Sequence, residues 1–327
     1  MPCRLSLAGS YPKSHAPLTP PRPRSPAAGL VSGMPDLHGF AWISTGPGPE
    51  FTRLYCTAIV LVSCQPGLRL QVADIIAQHP EAATIEVTVG GADLQLDVVA
   101  RDLESLSSYL INTLDHVPGI TSVKTAFITR LYQEASSWGL GSLDPSQLRR
   151  LGVQRQQKTV GRSREGLVDS LDRALIKQLS GDGRRAWADV AAACGTTAGT
   201  AKRRVERLTK TGLVRFRCDV SRELADFPVA VSLLASVLGP RLETACRIIQ
   251  EQPECRMIAK VSCHYTMFIN LWLRDLGHIQ EFESALVEKI PSLQVHDRLT
   301  TVKTVKRMGA LFDDSGRRTD IVPLNAW

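Results

Sequence analysis

The chain has 327 residues, a length that suits two or three domains. Hydrophobic residues make up 43% and charged residues 22%, which is typical of a globular protein and excludes collagen-like, mucin-like and wholly disordered classes. There is no apolar stretch of about 18 residues, no secretory signal and no Cys-x-x-Cys pair among the eight cysteines, so the sequence predicts a cytoplasmic protein with reduced thiols.

Positive charge is concentrated in one central segment. Residues 149–217 contain 17 Lys and Arg against 6 Asp and Glu, a net charge of +11, whereas the whole chain has +7. Such segregation is expected when one module faces an anionic polymer. A solvated basic linker is the alternative interpretation.

Residues 1–54 are rich in Pro, Gly, Ser and Arg and show no sustained hydrophobic period. A segment of this composition cannot bury a core, so the sequence predicts that residues 1–54 are disordered. Order is predicted to begin at Tyr55.

Residues 55–133 show the pattern of a βαββαβ unit. Apolar runs predict four strands, two amphipathic segments between them predict helices, and the turn Gly90-Gly91-Ala92-Asp93 is a hairpin signal between the second and third strands. This order predicts a ferredoxin-like domain.

The same pattern returns 173 residues later. Arg274-Asp275-Leu276 repeats Arg101-Asp102-Leu103, and Pro291 repeats Pro118. Equivalent signals at one fixed offset predict two copies of one unit. The second domain is therefore placed at 221–312, followed by a tail at 313–327.

A linker at 134–168 precedes a compact helical unit at 169–220. Its second and third helices flank a glycine turn at Gly195, Thr197 is the predicted N-cap of the third helix, and residues 213–218 are a candidate wing. The third helix buries one apolar face and presents a basic one, as a helix entering the DNA major groove must. The predicted DNA-binding residues are Thr197, Thr200, Lys202, Arg203, Arg204 and Arg207. A core helix with a solvated basic face is the alternative.

At these residues the sequence resembles a family. Leu171-Asp172-Arg173-Ala174-Leu175-Ile176, Cys194-Gly195-Thr196-Thr197 and Arg203-Arg204-Val205-Glu206-Arg207-Leu208 look like the helix-turn-helix of the leucine-responsive Lrp/AsnC ("feast/famine") transcription regulators. The βαββαβ units resemble the ligand-sensing and oligomerisation domain of that family, and the likeness covers about residues 55–312.

The resemblance implies an α+β fold, with two ferredoxin-like βαββαβ domains and a winged helix-turn-helix domain between them. It implies a transcription regulator that binds double-stranded DNA, forms homo-oligomers and senses a small-molecule effector, an amino acid. No enzymatic activity, cofactor, metal or membrane association is expected. A tandem regulator would carry a further helix-turn-helix at about residues 1–46, but the Pro-rich sequence shows no trace of it, so that unit is either lost or obscured by a wrong start or reading frame.

The turn between the second and third strands usually carries Gly-x-x-Asp in this family. The first copy keeps this pattern, and the second has Cys263-His264-Tyr265-Thr266 instead. The resemblance therefore predicts effector binding by Gly90, Gly91 and Asp93, with the second copy chiefly supporting oligomerisation. The alternative is that neither copy binds an effector.

Other chemistry has little support. Phosphate-loop, nucleophile-elbow and His-Glu-x-x-His motifs are missing, and His278 with Glu281 is predicted to be a surface pair rather than a metal site. Two alternatives stay open. One is an enzyme like the siroheme decarboxylases, which resemble this family in both domains and would need tetrapyrrole contacts such as His264 and His296. The other is a remnant that no longer binds DNA. The basic helix-turn-helix favours the regulator.

Overall fold

The computed structural model describes residues 39–48, 50–134, 168–222 and 227–327. The strands are β1 (Ala41–Pro47), β2 (Cys56–Cys64), β3 (Ala82–Val89), β4 (Leu94–Ala100), β5 (Ile120–Gln133), β6 (Val214–Val220), β7 (Val229–Ser236), β8 (Cys255–Ser262), β9 (Met267–Leu273), β10 (Gln294–Arg307), β11 (Ala310–Phe312) and β12 (Arg318–Ile321). The helices are α1 (Phe51–Leu54), α2 (Arg69–Ala77), α3 (Leu103–Asn112), α4 (Ser170–Gly181), α5 (Trp187–Ala193), α6 (Ala198–Lys210), α7 (Arg241–Gln250) and α8 (Gly277–Lys289), with a 3₁₀ turn at Leu114–His116.

The first repeat runs from β2 to β5 with its strands in the order β3-β4-β2-β5. Alternate strand residues such as Val60 and Leu96 pack under α2 and α3, where Ile76 and Leu106 are fully buried. Asp102 starts α3 because its side chain accepts a hydrogen bond from the Ser105 N–H at 2.8 Å. The helices therefore cover one face of the sheet and leave the other face for a partner.

The second repeat runs from β7 to β10 with the equivalent order β8-β9-β7-β10. Its helices α7 and α8 cover one face, where Cys246, Ile249 and Leu286 are buried. The repeated element order expected from the 173-residue offset is thus observed in the structure.

The two repeats pair through their sheet edges. β5 pairs with β8 in a register that includes Phe127 opposite Ser262, and β10 pairs with β3 in a register that includes Thr300 opposite Val89. These two pairs are related by the 173-residue offset, so an approximate two-fold axis relates the repeats. Because β10 also pairs with β7, eight strands close into a barrel in which each is paired on both sides.

The uncovered faces of the two sheets meet inside this barrel. Ile59, Leu61, Ala259, Phe268 and other apolar residues of both repeats form one shared core. The second repeat therefore covers the sheet of the first within the same chain, as a second subunit does in a dimer.

The prediction of disorder is wrong for residues 39–48 and 50–54. β1 pairs antiparallel with β6, with Ser44 opposite Arg217 at the centre of the ribbon, and Trp42 is buried 5.3 Å from the ring of Phe312. The partners of this strand lie far away in the sequence, so local composition does not reveal them. Residues 1–38, including most of the predicted position of a further helix-turn-helix, lie outside the described residues.

The candidate wing at residues 213–218 is extended, as the sequence predicts. Residues 214–218 belong to β6, which pairs antiparallel with β1. By the 173-residue offset β1 is the counterpart of β6, so the ribbon joins equivalent strands of the two repeats.

The predicted C-terminal tail is folded. β12 pairs with β11, and Trp327 is buried with its ring 4.9 Å from that of Phe51. Of the predicted linker, only Glu134 and Val168 belong to the described residues.

The three-helix unit α4–α6 has its own small core, which includes Leu175, Leu179, Val190 and Val205. This unit packs against the first repeat through a second apolar cluster, in which Leu208 and Leu213 contact the same core as Ala83 and Val99. Within the described residues, no helix is long and apolar enough to cross a membrane.

Candidate nucleic-acid interface and ligand cavity

Helix α6 begins as the sequence predicts. Thr197 is its N-cap, and the Thr197 Oγ1 accepts a hydrogen bond from the Thr200 N–H at 3.2 Å. Gly195, in the turn that follows α5, has a φ of +62°. Glycine adopts this left-handed conformation at little energetic cost because it has no Cβ atom. Ala201, Val205 and Leu208 face the core, so the opposite face of α6 points to solvent.

The solvent face of α6 is basic. Lys202, Arg203 and Lys210 are exposed, and the Nζ of Lys202 lies 3.9 Å from Glu206 Oε1, a pair that solvent screens. Arg203 Nη2 lies 3.5 Å from Thr200 Oγ1. Of these cations, sequence reasoning missed Lys210, which lies two turns beyond Arg203 on the same face.

The structure places Arg204 and Arg207 differently from the other predicted residues. Arg204 Nη1 donates to Asp172 Oδ1 at 3.2 Å, and Arg207 also binds the Asp172 carboxylate, which is fully buried. Asp169 caps α4 by accepting from the Asp172 N–H at 2.8 Å and also binds Arg204, and these hydrogen bonds lower the pKa of Asp169. These two arginines therefore hold α6 against the start of α4.

The turn predicted to bind an effector is packed against the second repeat. A Cβ atom on Gly90 would lie 2.2 Å from the Arg298 carbonyl oxygen, and one on Gly91 would lie 1.9 Å from Asp297 Oδ2. The Asp93 carboxylate accepts from the Cys64 N–H at 2.8 Å and is paired with Arg69. Close packing within the chain accounts for both glycines, and effector binding here stays a prediction.

The corresponding turn of the second repeat differs as the sequence indicates. Tyr265 is buried, the rings of His264 and His296 are 6.5 Å apart, and His296 Nε2 lies 2.8 Å from Ser236 Oγ. His278 lies 3.7 Å from Glu254. Among the described residues no group of three potential ligands is placed to hold a metal ion.

A cavity of about 120 Å³ lies between the barrel and the β1–β6 ribbon. Six charged side chains line it, three carboxylates and three guanidinium groups: Glu86, Asp97, Glu134, Arg217, Arg256 and Arg307. Sequence reasoning missed this site. The available signal was the presence of Glu86 and Asp97 inside otherwise apolar predicted strands.

Burial controls the electrostatics of the cavity. Removal from water raises the pKa of Asp97 to about 7, and the negative charge of Glu86 adds to this effect. Burial also lowers the pKa of Arg256, and the positive charge of Arg307 adds to that decrease. Arg217 is compensated, because its Nε and Nη2 donate to the two Asp219 carboxylate oxygens at 3.2 and 3.1 Å.

Several polar atoms at the cavity have no hydrogen-bond partner among the described residues. They are Thr57 Oγ1, Gln95 Oε1, Asp97 Oδ1 and Arg256 Nη1. Buried polar atoms are normally paired in native proteins, so these four atoms around one cavity are available to bind a polar partner.

Two family models match the chain. The Lrp/AsnC ligand binding domain matches residues 57–138, and the AsnC-type helix-turn-helix domain matches residues 168–209. The chain therefore contains an Lrp/AsnC ligand-binding domain and an AsnC-type helix-turn-helix domain, and the resemblance predicted from the sequence is confirmed.

The relatives with curated descriptions are about half as long as this chain. An uncharacterized HTH-type transcriptional regulator of Pyrococcus horikoshii is 25% identical over 148 residues, which cover 44% of this chain and 94% of that protein. The regulatory protein AsnC of Escherichia coli is 24% identical over 139 residues, covering 42% of this chain and 91% of that protein.

A solved structure matches most of the chain in fold. The siroheme decarboxylase NirDL, in complex with an iron-uroporphyrin III analogue, aligns with a TM-score of 0.53 over 81% of this chain and 77% of its own. The sequence identity is 10%, so this likeness concerns the fold alone.

Proposed function

We propose that the protein is a cytoplasmic, sequence-specific transcription regulator of the Lrp/AsnC type with two ferredoxin-like domains. The observation that supports this proposal is the basic, solvent-exposed face of α6, which belongs to a helix-turn-helix that matches the AsnC-type family model. Lys202 and Lys210 are suited to phosphates, and Arg203 to a guanine edge, because a guanidinium group can donate two parallel hydrogen bonds to O6 and N7.

The regulator acts on DNA as a homo-oligomer under this proposal. The described part of the chain contains one helix-turn-helix unit, and a two-fold DNA site needs two recognition helices about one helical turn apart. The approximate two-fold axis inside the barrel cannot provide the second one from the described residues, so a second chain supplies it.

Fluorescence anisotropy with the DNA upstream of the gene tests DNA binding. We expect Arg203→Ala to weaken specific binding by about 1–3 kcal/mol and non-specific binding much less. Lys210→Ala should weaken both and reduce the salt dependence by about one counterion.

Arg247→Ala is the matched control, because Arg247 is an exposed arginine on α7 of the second repeat. It should leave DNA affinity unchanged. Absence of salt-sensitive binding to any DNA, or an Arg203→Ala variant that binds its site like the wild type, would show that α6 is not a recognition helix.

Effector sensing at the first turn is part of the proposal. Calorimetry with an amino-acid panel on Asp93→Ala and His264→Ala tests it. Loss of binding in the Asp93 variant alone supports the first repeat as the sensor, whereas loss in the His264 variant alone assigns sensing to the second.

A second candidate function is siroheme decarboxylation, favoured by the fold likeness to NirDL over most of the chain. The cavity of about 120 Å³ is far smaller than the roughly 300–1,000 Å³ of pockets for drug-sized ligands, which argues against a tetrapyrrole there. Incubation with iron-uroporphyrin III separates the two functions, because a shifted Soret band that His264→Ala and His296→Ala abolish would favour the enzyme.

A further inference from the structure

The cavity beneath the β1–β6 ribbon lies on the approximate two-fold axis of the barrel. Its lining includes six pairs of positions related by the 173-residue offset. The pairs are Ala83 with Arg256, Thr84 with Met257, Gln95 with Phe268, Asp97 with Asn270, Val99 with Trp272, and Glu134 with Arg307. Both repeats therefore line the same cavity with equivalent strands.

The two repeats contribute opposite chemistry at these positions. The first repeat supplies acceptors and carboxylates, with Gln95 and Asp97 on β4. The second supplies guanidinium groups and an aromatic ring, with the Arg256 guanidinium 3.8 Å from the centre of the Trp272 ring. Two identical subunits would place the same residues on both sides of the axis, whereas this chain has a polarised cavity.

Several charges of the lining already have partners within the protein. Arg217 binds Asp219, Glu134 binds Arg215, and Glu86 accepts from Thr301 Oγ1 at 2.9 Å. Arg256 Nη1 on one side and Asp97 Oδ1 on the other have no hydrogen-bond partner among the described residues. Arg256 is only 6% exposed, so this nitrogen is buried without a hydrogen bond to any described residue, while the nearby carboxylates of Asp219 and Glu86 favour the charged guanidinium group.

We propose that this cavity binds a small zwitterion, with its carboxylate on Arg256 and its ammonium group on Asp97 and Gln95. A guanidinium group is the preferred partner of a carboxylate, and a carboxylate with an amide oxygen can accept from an ammonium group. The volume of about 120 Å³ restricts the ligand to a few heavy atoms beyond these two groups. Ile128, Leu131 and Met257 offer an apolar wall for a short side chain. Free α-amino acids with small side chains have this chemistry.

The ligand would touch the segment that carries the DNA-binding helix. Arg217 of β6 and Pro47 and Gly48 at the end of β1 line the cavity, and β6 starts four residues after α6 ends. Gly48 N–H donates to the Leu213 carbonyl at 2.9 Å, which ties the ribbon to the end of the helical unit. Regulation of DNA binding by the zwitterion rests on the proposed function. The binding of the zwitterion in the cavity does not depend on that function.

Isothermal titration calorimetry on the full chain tests the site. The probes are glycine, L-alanine, L-serine and L-valine, with succinate and putrescine as ligands that carry only one kind of charge. We expect at least one amino acid to bind with one site per chain, and Arg256→Gln and Asp97→Asn each to weaken it about tenfold to a hundredfold. Arg247→Gln on α7 is the control and should bind like the wild type. Asp93→Asn separates binding in this cavity from binding at the first turn.

Circular dichroism and thermal melting verify that each variant folds. If Arg256→Gln is unfolded, Arg256→Lys, which keeps the charge and loses the planar fork, replaces it. The proposal is overturned if none of the amino acids binds, if only succinate or putrescine binds, or if Asp93→Asn rather than Asp97→Asn removes binding.

The failure of this site is distinguishable from failure of the proposed function. Calorimetry reports the zwitterion without DNA, and anisotropy reports DNA without the zwitterion. If the protein binds an amino acid in a way that depends on Arg256 and Asp97 but does not bind DNA, the proposed ligand site is supported and the proposed DNA-binding function is rejected.

Discussion

Asp97 should make the protein less stable as the pH rises. Its pKa rises from 3.8 to about 7 on folding because the carboxyl is removed from water next to Glu86. The folded state therefore binds more protons than the unfolded chain between these values, so stability falls as the pH increases from about 4 and the full loss is present above pH 7. About three pKa units at 1.36 kcal/mol each correspond to a penalty on the order of 4 kcal/mol.

Asp97→Asn keeps the shape of the side chain and removes this ionisation. We expect the variant to match the wild type near pH 4 and to exceed its free energy of unfolding at pH 8 by on the order of 2–4 kcal/mol. Urea unfolding at pH 4, 5, 6, 7 and 8, followed by circular dichroism, measures the difference.

Thr57→Val is the matched control, because it removes an uncharged, unpartnered hydroxyl from the same cavity. It should change stability by the same amount at every pH. A difference between Asp97→Asn and the wild type that stays constant from pH 4 to pH 8 would refute the argument that burial of this carboxyl controls its ionisation.

Two further predictions concern buried charges elsewhere. Asp172→Asn should lower the free energy of unfolding by about 1–3 kcal/mol, because it weakens the charged hydrogen bonds from Arg204 and Arg207; an unchanged melting temperature would contradict this. Lys306 is fully buried, and burial lowers its pKa from 10.5 to about 8. The unfolded chain therefore binds more protons between these pH values, so the free energy of unfolding of the wild type should rise from pH 8 to 10.5. Urea titrations of Lys306→Met should show no such rise.

The helix-turn-helix and the repeated units could be predicted because their signals are local. Thr197 is a cap by residue type and position, and the apolar spacing of Ala201, Val205 and Leu208 defines one face of α6 without knowledge of any partner. The repeats were visible because matching turn and helix-start residues recur at one offset. Periodicity also indicated the basic face, but it could not show that Arg204 and Arg207 bind Asp172, 32 and 35 residues away.

The features that escaped prediction depend on contacts distant in sequence. β1 is a strand because β6 pairs with it and Phe312 packs on Trp42, and neither partner lies within 100 residues. The cavity exists only where the two sheets and the ribbon meet. Asp97 and Arg256, 159 residues apart in the sequence, become one site through the pairing of the repeats.

Because the barrel closes within one chain, its assembly does not depend on protein concentration. Two sheets on different polypeptides meet in a second-order reaction and come apart on dilution, so their stability follows mass action. Here the sheets are tethered, and a tether holds its ends at an effective concentration on the order of millimolar whatever the copy number in the cell. The barrel can therefore stay assembled at a few molecules per cell. Under the proposed function, only the association of whole chains on DNA would depend on how much protein is made.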